Sequence, residues 1–305
     1  MIELRDVRKT FGELKAVDGI SLSACAGEVF GLLGPNGAGK STTIRMIIKI
    51  LAPDSGSILF NDKPISDEDR PRIGYMPEER GLYRKVKIGE MLLYLASLKE
   101  ADPASSARRL DEWLERFGLM QWKRRTPEEL SKGMSQKAQF IAAVLHDPEF
   151  IFLDEPFSGL DPVGTDVLRE AVLELARMGK TVLLSTHNME VAEKICSTIL
   201  IIDHGRAVVS GLLADIKGRH GKNSVSVEFD GELDAARLAR LGTLISRFPR
   251  FVEFELAEGI SAQEVLAALV GTVSIRRFEE VTPSLHSIFV QLVGKGERGG
   301  AEAPA

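Results

Sequence analysis

Hydrophobic residues along the chain fall into two kinds of pattern. Four short runs, "EVFGLL", "FIFLD", "TVLLST" and "TILIID", are apolar almost without interruption, which is typical of parallel strands buried on both faces of a sheet. Segments with helical spacing follow the first run ("KSTTIRMIIKIL") and separate the next two, where Asp161 and Pro162 predict a helix start and Gly179 a helix stop. This order predicts an α/β core.

Three other regions surround this core. Two β-like runs at the start, "IELRDV" and "LKAVDGISLSA", predict an N-terminal antiparallel β subdomain. Apolar positions recur with helical spacing from Ile88, which predicts a helical insertion over about 88–147. After a glycine-rich, basic break at 216–224, alternating strands and helical segments predict a small α+β domain. The predicted domains are therefore 1–218, which includes the insertion, and 222–294, followed by a disordered tail over 295–305.

Composition and charge argue against several classes of protein. The net charge is −5 and basic residues are scattered among acidic ones, whereas binding to a nucleic-acid backbone needs a basic face. The first residues lack the apolar core of a signal peptide, and no apolar run approaches the ~18 residues of a membrane span. We therefore expect a soluble, cytoplasmic chain without a nucleic-acid partner. Cys25 and Cys196 lack metal-ligand spacing and are predicted to be buried.

The segment "GPNGAGKS", residues Gly34–Ser41, matches the phosphate-loop pattern G-x-x-x-x-G-K-[ST]. We call it the P-loop. Its glycines let successive backbone N–H groups point inward at a phosphate. In this pattern Lys40 reaches the β- and γ-phosphates, and the Ser41 hydroxyl binds Mg²⁺. The strand before it and the helix after it favour this interpretation over an ordinary glycine turn.

Acidic and histidine side chains follow two other predicted strands. Asp154 and Glu155 lie at the end of "FIFLDEP", and His187 follows "TVLLST". Because ligands bind beyond the carboxyl ends of strands in α/β sheets, we expect these side chains to face the P-loop. Asp154 would hold Mg²⁺ through water and Glu155 would polarise a water molecule for attack on the γ-phosphate. His187 would hold that water or the phosphate in place.

A second anion-binding feature lies in "EELSKGMSQKAQF". Ser131 and Gly133 precede an apolar pattern of helical spacing, so we expect them near a helix N-terminus, where free backbone N–H groups favour anions. No phosphate-binding lysine motif accompanies them. From its residues alone, this segment is an incomplete phosphate site.

Taken together and in this order, the motifs resemble those of the ATP-binding subunits of ABC transporters over about residues 2–218. The matching segments are the P-loop, "LSKGM" (130–134), "FLDEP" (152–156), "SGLD" (158–161) and "STH" (185–187). The resemblance implies a P-loop NTPase fold, ATP and Mg²⁺ as cofactors, and ATP hydrolysis coupled to transmembrane transport. It also implies two ATPase domains that meet head to tail, with each ATP between one chain's P-loop and the other chain's "LSKGM", the signature segment.

The resemblance implies roles for further residues. Ser131 and Gly133 would face a γ-phosphate that the partner chain holds, which accounts for the incomplete site, and Asp161 would cross the same interface. Phe11 matches the position where an aromatic ring stacks on adenine. The residues implied to bind ATP are Phe11, Gly34, Asn36, Gly37, Ala38, Gly39, Lys40, Ser41 and Thr42.

The sequence departs from the family pattern in two places. Glu78 stands where the family usually has a glutamine that touches Mg²⁺; its carboxylate still offers an oxygen ligand, but its charge would alter the metal affinity. Lys132 and Met134 replace the commonest glycine and glutamine of the signature segment. These variants resemble a branch of exporters, including sodium-extrusion and drug-resistance types, whose ATPase chains carry a small C-terminal extension.

Partners also follow from the resemblance. The chain would need a separate integral membrane permease, docked against 88–130 and the turn around Glu78, and would lie peripherally on the inner face of the cell membrane. Both sets of motifs look complete, so a homodimer is the simpler expectation and a heterodimer stays open. The small C-terminal domain would either steady the dimer or sense a ligand.

Two other functions are the alternatives. A non-transport ATPase of the same family would act on DNA or ribosomes; however, DNA-tethering types insert long coiled coils, and ribosome-acting types usually carry two ATPase domains. A P-loop kinase or other phosphotransferase would leave "LSKGM" without a purpose. The sequence therefore favours the ATPase subunit of an exporter.

Overall fold

The computed structural model describes residues 1–79, 81–83, 85–220, 224–233, 242–257, 259–281 and 284–298. The chain divides into two compact units, Met1–Leu212 and Leu213–Ala305. The division falls a few residues before the break that the sequence places at 216–224, at the point where the last strand of the first unit ends.

Strands and helices alternate in the first unit after an all-β start. Its strands are β1 (Ile2–Phe11), β2 (Leu14–Ala24), β3 (Val29–Leu33), β4 (Ser55–Phe60), β5 (Lys63–Pro64), β6 (Ile73–Met76), β7 (Phe150–Asp154), β8 (Thr181–Thr186), β9 (Thr198–Asp203) and β10 (Arg206–Leu212). Its α-helices are α1 (Lys40–Ile47), α2 (Ile88–Ser97), α3 (Pro103–Arg116), α4 (Lys132–Val144), α5 (Pro162–Arg177) and α6 (Met189–Ile195). Short 3₁₀ turns occupy Asp67–Arg72, Met120–Trp122 and Pro127–Glu129.

A six-stranded sheet of order β10-β9-β3-β8-β7-β6 forms the centre of this unit. Strands β9, β3, β8, β7 and β6 run parallel to one another, and β10 is an antiparallel edge strand. Every residue of β3, β7 and β8 is buried, as parallel strands covered on both faces should be. The α/β core predicted from the apolar runs is confirmed.

The first strands form a second sheet, of order β2-β1-β4-β5, in which neighbouring strands are antiparallel. It corresponds to the β subdomain that the opening runs predict. Its side chains share one hydrophobic core with those of the central sheet. The ring centroid of Phe60 lies 4.5 Å from that of Phe150 and 6.3 Å from that of Phe152. Burial of apolar surface therefore holds the two sheets together.

Helices α2, α3 and α4 form an insertion between β6 and β7. Asp102 caps α3 by accepting a hydrogen bond from a backbone N–H of its first turn, which also contains Pro103. Trp113 of α3 and Phe117, the residue directly after that helix, pack edge-on against Phe140 of α4, with ring centroids 5.7 and 5.6 Å from it. These rings fix α3 to the helix that begins in the signature segment.

The second unit has a hydrophobic core of its own, which includes Val225, Val227 and Phe254. Its described strands form an antiparallel sheet of order β12-β13-β11-β14. They are β11 (Ser224–Asp230), β12 (Gly242–Phe248), β13 (Phe251–Leu256) and β14 (Ser274–Val281), and the helices are α7 (Leu213–His220), α8 (Ala262–Leu269) and α9 (Leu285–Arg298). Because α9 continues to Arg298, residues 295–298 of the tail predicted to be disordered are helical. The rest of that tail lies outside the described residues.

The two cysteines lie in different environments. Cys196 is buried, and burial raises the pKa of its thiol to about 12. Cys25 is exposed, so the prediction that it is buried was wrong. It directly follows the last residue of β2, at the start of the turn that leads to β3.

Candidate nucleotide-binding site

The P-loop connects β3 to α1 and depends on glycine at several positions. Gly34, Gly37 and Gly39 have φ values of 149°, 80° and 105°, which side chains with a Cβ rarely adopt. A Cβ at Gly34 would lie 2.1 Å from the backbone oxygen of Ile202, and one at Gly39 would lie 2.2 Å from that of Ala16. The loop is therefore shaped by both its own conformation and the backbone packed against it.

Lys40 is the first residue of α1, and its side chain is buried. Its Nζ donates hydrogen bonds to the backbone oxygens of Gly34, at 2.8 Å, and Pro35, at 3.1 Å. It also lies 3.6 Å from Oε1 of Glu155, a second buried side chain. The ammonium group thus joins the P-loop to the segment that follows another strand.

Asp154 ends β7 and is completely buried. The Ser185 hydroxyl donates to its Oδ1, and its Oδ2 has no hydrogen-bond partner among the described residues. A buried carboxylate oxygen without a partner is unfavourable, and Mg²⁺ prefers oxygen ligands. The unpaired oxygen of Asp154 and the hydroxyl of Ser41, at the start of α1, are therefore chemically suited to hold Mg²⁺.

Glu155 follows Asp154, and its carboxylate is held by the segment after β8. Its Oε1 accepts a hydrogen bond from the backbone N–H of His187 at 2.9 Å and lies 2.8 Å from His187 Nδ1. Its Oε2 accepts a hydrogen bond from the Thr186 hydroxyl at 3.1 Å. The structure thus brings together Lys40, Asp154, Glu155 and His187 from three strand ends.

The three residues implied to act across a dimer lie at helix starts in the same chain. Ser131 caps α4 and accepts a hydrogen bond from the third residue of the helix at 3.3 Å. Asp161 caps α5 in the same way, at 2.7 Å. A Cβ on Gly133 would lie 3.2 Å from the backbone oxygen of Gly159, so the two segments are neighbours. Within the described residues, no hydrogen bond or ion pair joins Ser131 or Asp161 to the P-loop.

Phe11 and Glu78 both have exposed side chains. Phe11 ends β1, and the Nζ of Lys9 lies 5.7 Å from its ring centroid. Glu78 follows β6. Burial is the main cause of the raised pKa of the Tyr75 hydroxyl, and the charges of Asp154 and then Glu78 raise it further.

Sequence reasoning did not assign roles to three residues that contact the acidic pair. Ser185 and Thr186 are the last two residues of β8. Polar residues at the end of a predicted buried strand, directly before His187, could have indicated that they contact the site. The third is Gln136 of α4, which donates hydrogen bonds to the backbone oxygens of Glu155 and Pro156. No pattern in the sequence indicates that contact.

Comparison with known proteins shows the family to which the chain belongs. The ABC transporter family matches residues 17–158, and the family described as "ATP-binding protein DrrA1-3-like, C-terminal domain" matches residues 211–293. A Bacillus subtilis protein named "Uncharacterized ABC transporter ATP-binding protein YhaQ" is 44% identical over 294 residues, which cover 96% of this chain and 99% of the relative. The chain belongs to the family of ABC transporter ATP-binding proteins.

Two further comparisons support the assignment to the ABC family. "Nod factor export ATP-binding protein I" of Paraburkholderia xenovorans is 33% identical, with 96% of this chain and 97% of the relative covered. A solved structure described as "Structure of ATP binding subunit of ABC transporter" matches 72% of this chain and 93% of its own, with a TM-score of 0.67 and 34% identity. The predicted family and the P-loop NTPase fold are confirmed. ABC ATPases bind and hydrolyse ATP, generally with Mg²⁺, and transporter ATP-binding subunits typically pair with membrane permeases.

Gly39→Ala should abolish nucleotide binding by this ABC protein, and Gly179→Ala should not. Both glycines have positive φ, 105° and 85°, so either alanine should cost roughly 1–2 kcal/mol of backbone strain. Only at Gly39 would the new Cβ also collide with a backbone oxygen, at 2.2 Å, whereas Gly179 has no atom within 4 Å of that position. Thermal unfolding reports the backbone strain that both variants share, and binding of a fluorescent ATP analogue reports the distortion of the P-loop that only Gly39→Ala should cause. Equal binding by both variants would show that the loop tolerates the contact.

Proposed function

We propose that this chain is the ATP-hydrolysing subunit of an exporter, which dimerises around ATP and drives transport through a separate membrane-spanning partner. The observation that carries the proposal is the buried pair formed by Lys40 of the P-loop and Glu155 at the end of β7, 3.6 Å apart. It places a phosphate-binding cation next to a carboxylate that can activate water. Such an arrangement serves hydrolysis of a phosphoanhydride.

The proposed roles of the residues combine these contacts with the family pattern. Lys40 binds the β- and γ-phosphates, and Ser41 and Asp154 would hold Mg²⁺, which would neutralise charge on the phosphate oxygens. Glu155 accepts a proton from the attacking water, and His187 orients the carboxylate through its backbone N–H and Nδ1. The remaining P-loop residues, Gly34, Asn36, Gly37, Ala38, Gly39 and Thr42, surround the phosphates, and Phe11 stacks on adenine.

A second copy of the chain completes each site. Ser131 and Asp161 are exposed at the starts of α4 and α5, where the positive end of a helix favours an anion. Gly133 leaves room at the first turn of α4. These groups belong to one chain: Ser131 and the Gly133 backbone would bind the γ-phosphate held by the other chain's P-loop, and Asp161 would cross the same interface and couple the two sites. The simplest assembly is a symmetric homodimer with two such sites.

The membrane partner is proposed to dock on the helical insertion and the turn around Glu78. None of the helices in the described part of the chain has the length and apolar character needed to cross a bilayer. Large apolar side chains are nevertheless exposed on α2 and just before and after it: Tyr83 by 55%, Tyr94 by 54% and Leu98 by 60%. An integral permease bound there would place the chain on the inner face of the cell membrane. The name of the Nod factor relative supports export as the direction.

Lys40→Ala and Glu155→Gln should impair different steps. Without the Lys40 ammonium, ATP binding should weaken and hydrolysis should disappear. Without the Glu155 carboxylate, ATP should still bind while hydrolysis slows by about 10²–10⁴-fold, the usual contribution of a general base. ATPase assays and equilibrium ATP binding distinguish the two. Lys49→Ala, which removes an exposed lysine just after α1, is the control and should change neither ATP binding nor the rate of hydrolysis. Near-normal turnover by Lys40→Ala or Glu155→Gln would remove that residue from the mechanism.

Mixed dimers test the shared site. Chains with Ser131→Arg and chains with Lys40→Ala should each be inactive alone, because every site lacks one half. In a mixed dimer, the P-loop of the Ser131→Arg chain meets the intact signature segment of the Lys40→Ala chain, so one of two sites should be restored. About half of the wild-type ATPase rate is expected if the sites act independently. Zero activity in a purified mixed dimer would contradict sharing.

Capture from gently solubilised native membranes tests the transport role. Tagged Glu155→Gln chain, loaded with MgATP, should retain a polytopic membrane protein in a fixed ratio, identified by mass spectrometry. Leu98→Asp in the same bait should release it, whereas Met178→Asp should not, because Met178 is equally exposed, at 63%, but lies after α5. Capture of ribosomes or soluble proteins alone would favour the non-transport function instead.

A further inference from the structure

Gln136 joins α4, the helix that begins in the signature segment, to the turn that follows β7 in the same chain. It lies five residues after Ser131 in α4, and only 5% of its surface is exposed. Its Nε2 donates to two successive backbone oxygens, those of Glu155 and Pro156, each at 3.0 Å. A side-chain amide has two N–H donors, so both donors bind the backbone of one turn.

This turn has an unusual backbone. Glu155 has a φ of 49°, a left-handed conformation that is uncommon for residues other than glycine. The following residue is Pro156, and a proline further restricts the residue before it to extended conformations. Such strain persists only where the surroundings hold it. Gln136 and the backbone N–H of Ser158, which donates to the Glu155 oxygen at 3.2 Å, supply contacts that do so.

We infer that Gln136 is a positioning residue for hydrolysis: by holding the Glu155 backbone in its left-handed conformation, it aims the carboxylate at the attacking water. The inference rests on the proposed role of Glu155 as the base. A misplacement of about 1 Å at a reacting group can cost roughly 100-fold in rate. Loss of the two hydrogen bonds should therefore slow hydrolysis while leaving the P-loop contacts with ATP intact.

The position of Gln136 gives this contact a second consequence. In the proposed dimer, the N-terminus of α4 completes the site that holds ATP on the partner's P-loop. Glu155 belongs to the other site, which holds ATP on the chain's own P-loop. One side chain therefore connects the two sites within a single chain. A shift of α4 when Ser131 meets a γ-phosphate would reach Glu155 through Gln136.

The test is Gln136→Met, which keeps the length of the side chain and removes both donors. We expect kcat for ATP hydrolysis to fall roughly 10- to 100-fold, with KM and ATP binding changed less than about twofold. Single-turnover hydrolysis is then measured in the Glu155→Gln background. There the same substitution should change the residual rate less than about twofold, because the carboxylate it positions is gone. Equal losses in both backgrounds would overturn the inference.

Gln139→Met is the matched control. Gln139 lies one turn further along α4, is buried to a similar extent at 3% exposed, and donates to a different backbone oxygen, that of Glu79. Both variants lose a buried amide from the same helix, so both should unfold at a somewhat lower temperature. Any fold-change in the hydrolysis rate caused by Gln139→Met should be the same in the Glu155→Gln background as in the wild type.

If Gln136→Met fails to fold, Gln136→Glu replaces it in the same comparison. Glutamate has the same shape as glutamine but only hydrogen-bond acceptors when it is ionised.

Mixed dimers show which of the two sites Gln136 serves. In the dimer of a Ser131→Arg chain and a Lys40→Ala chain, the active site uses Glu155 of the first and the signature segment of the second. Gln136→Met added to the first chain should lower the activity by the same roughly 10- to 100-fold, and added to the second it should have little effect. The reverse pattern would assign Gln136 to the signature segment and overturn the inference. If the dimer of Ser131→Arg and Lys40→Ala chains is inactive before Gln136→Met is added, the proposal of a site shared between chains is contradicted. The role of Gln136 would still be decided by the kcat comparison in dimers of identical chains.

Discussion

The parallel pairing of β3, β8 and β7 is the constraint on which the site depends. Its register sets Leu33 opposite Thr186 and Asp154 opposite Ser185. The segments that follow these strands therefore emerge at one edge of the sheet, where the P-loop, the acidic pair and His187 meet. A slip of one residue in either pairing would turn alternate side chains to the opposite face. Because every residue of these strands is buried, such a slip would disrupt close packing on both faces, so the same residues that stabilise the core also align the chemistry.

The buried charges of Lys40 and Glu155 at this edge offset each other. Lys40 and Glu155 are each less than a tenth exposed and form an ion pair, in which Lys40 also donates to a backbone oxygen and Glu155 accepts from the backbone N–H of His187 and from Thr186. An isolated buried charge would be strongly unfavourable, and only good geometry with further hydrogen bonds offsets the loss of water. The network therefore fixes the direction of the carboxylate before any substrate binds. Preorganisation of this kind is a large part of electrostatic catalysis.

The sequence predicted those parts of the fold and site that local patterns encode. The continuous apolar runs gave the strands that became β3, β7, β8 and β9, and the glycine pattern gave the loop and its lysine. The contacts of Gln136 could not be predicted, because they join residues 19 and 20 positions apart through the packing of α4 against the end of β7. The end of α9 was missed since glycine and charge in the tail resembled disorder. Tertiary placement, rather than composition, decides each of these features.

The P-loop is also a joint between the two sheets of the first unit. The close approach at Gly39 comes from Ala16 of β2, in the antiparallel sheet, and the one at Gly34 comes from Ile202 of β9, in the central sheet. The backbone N–H of Gly205, in the turn after β9, donates to the Ala38 oxygen at 3.0 Å. The backbone oxygen of Gly205 accepts a hydrogen bond from the N–H of Asp18 in β2 at 2.8 Å. The loop is therefore held from both sides by backbone that cannot yield as a flexible side chain would. Its glycines serve packing as well as phosphate binding, and the phosphate-binding geometry depends on how the two sheets meet.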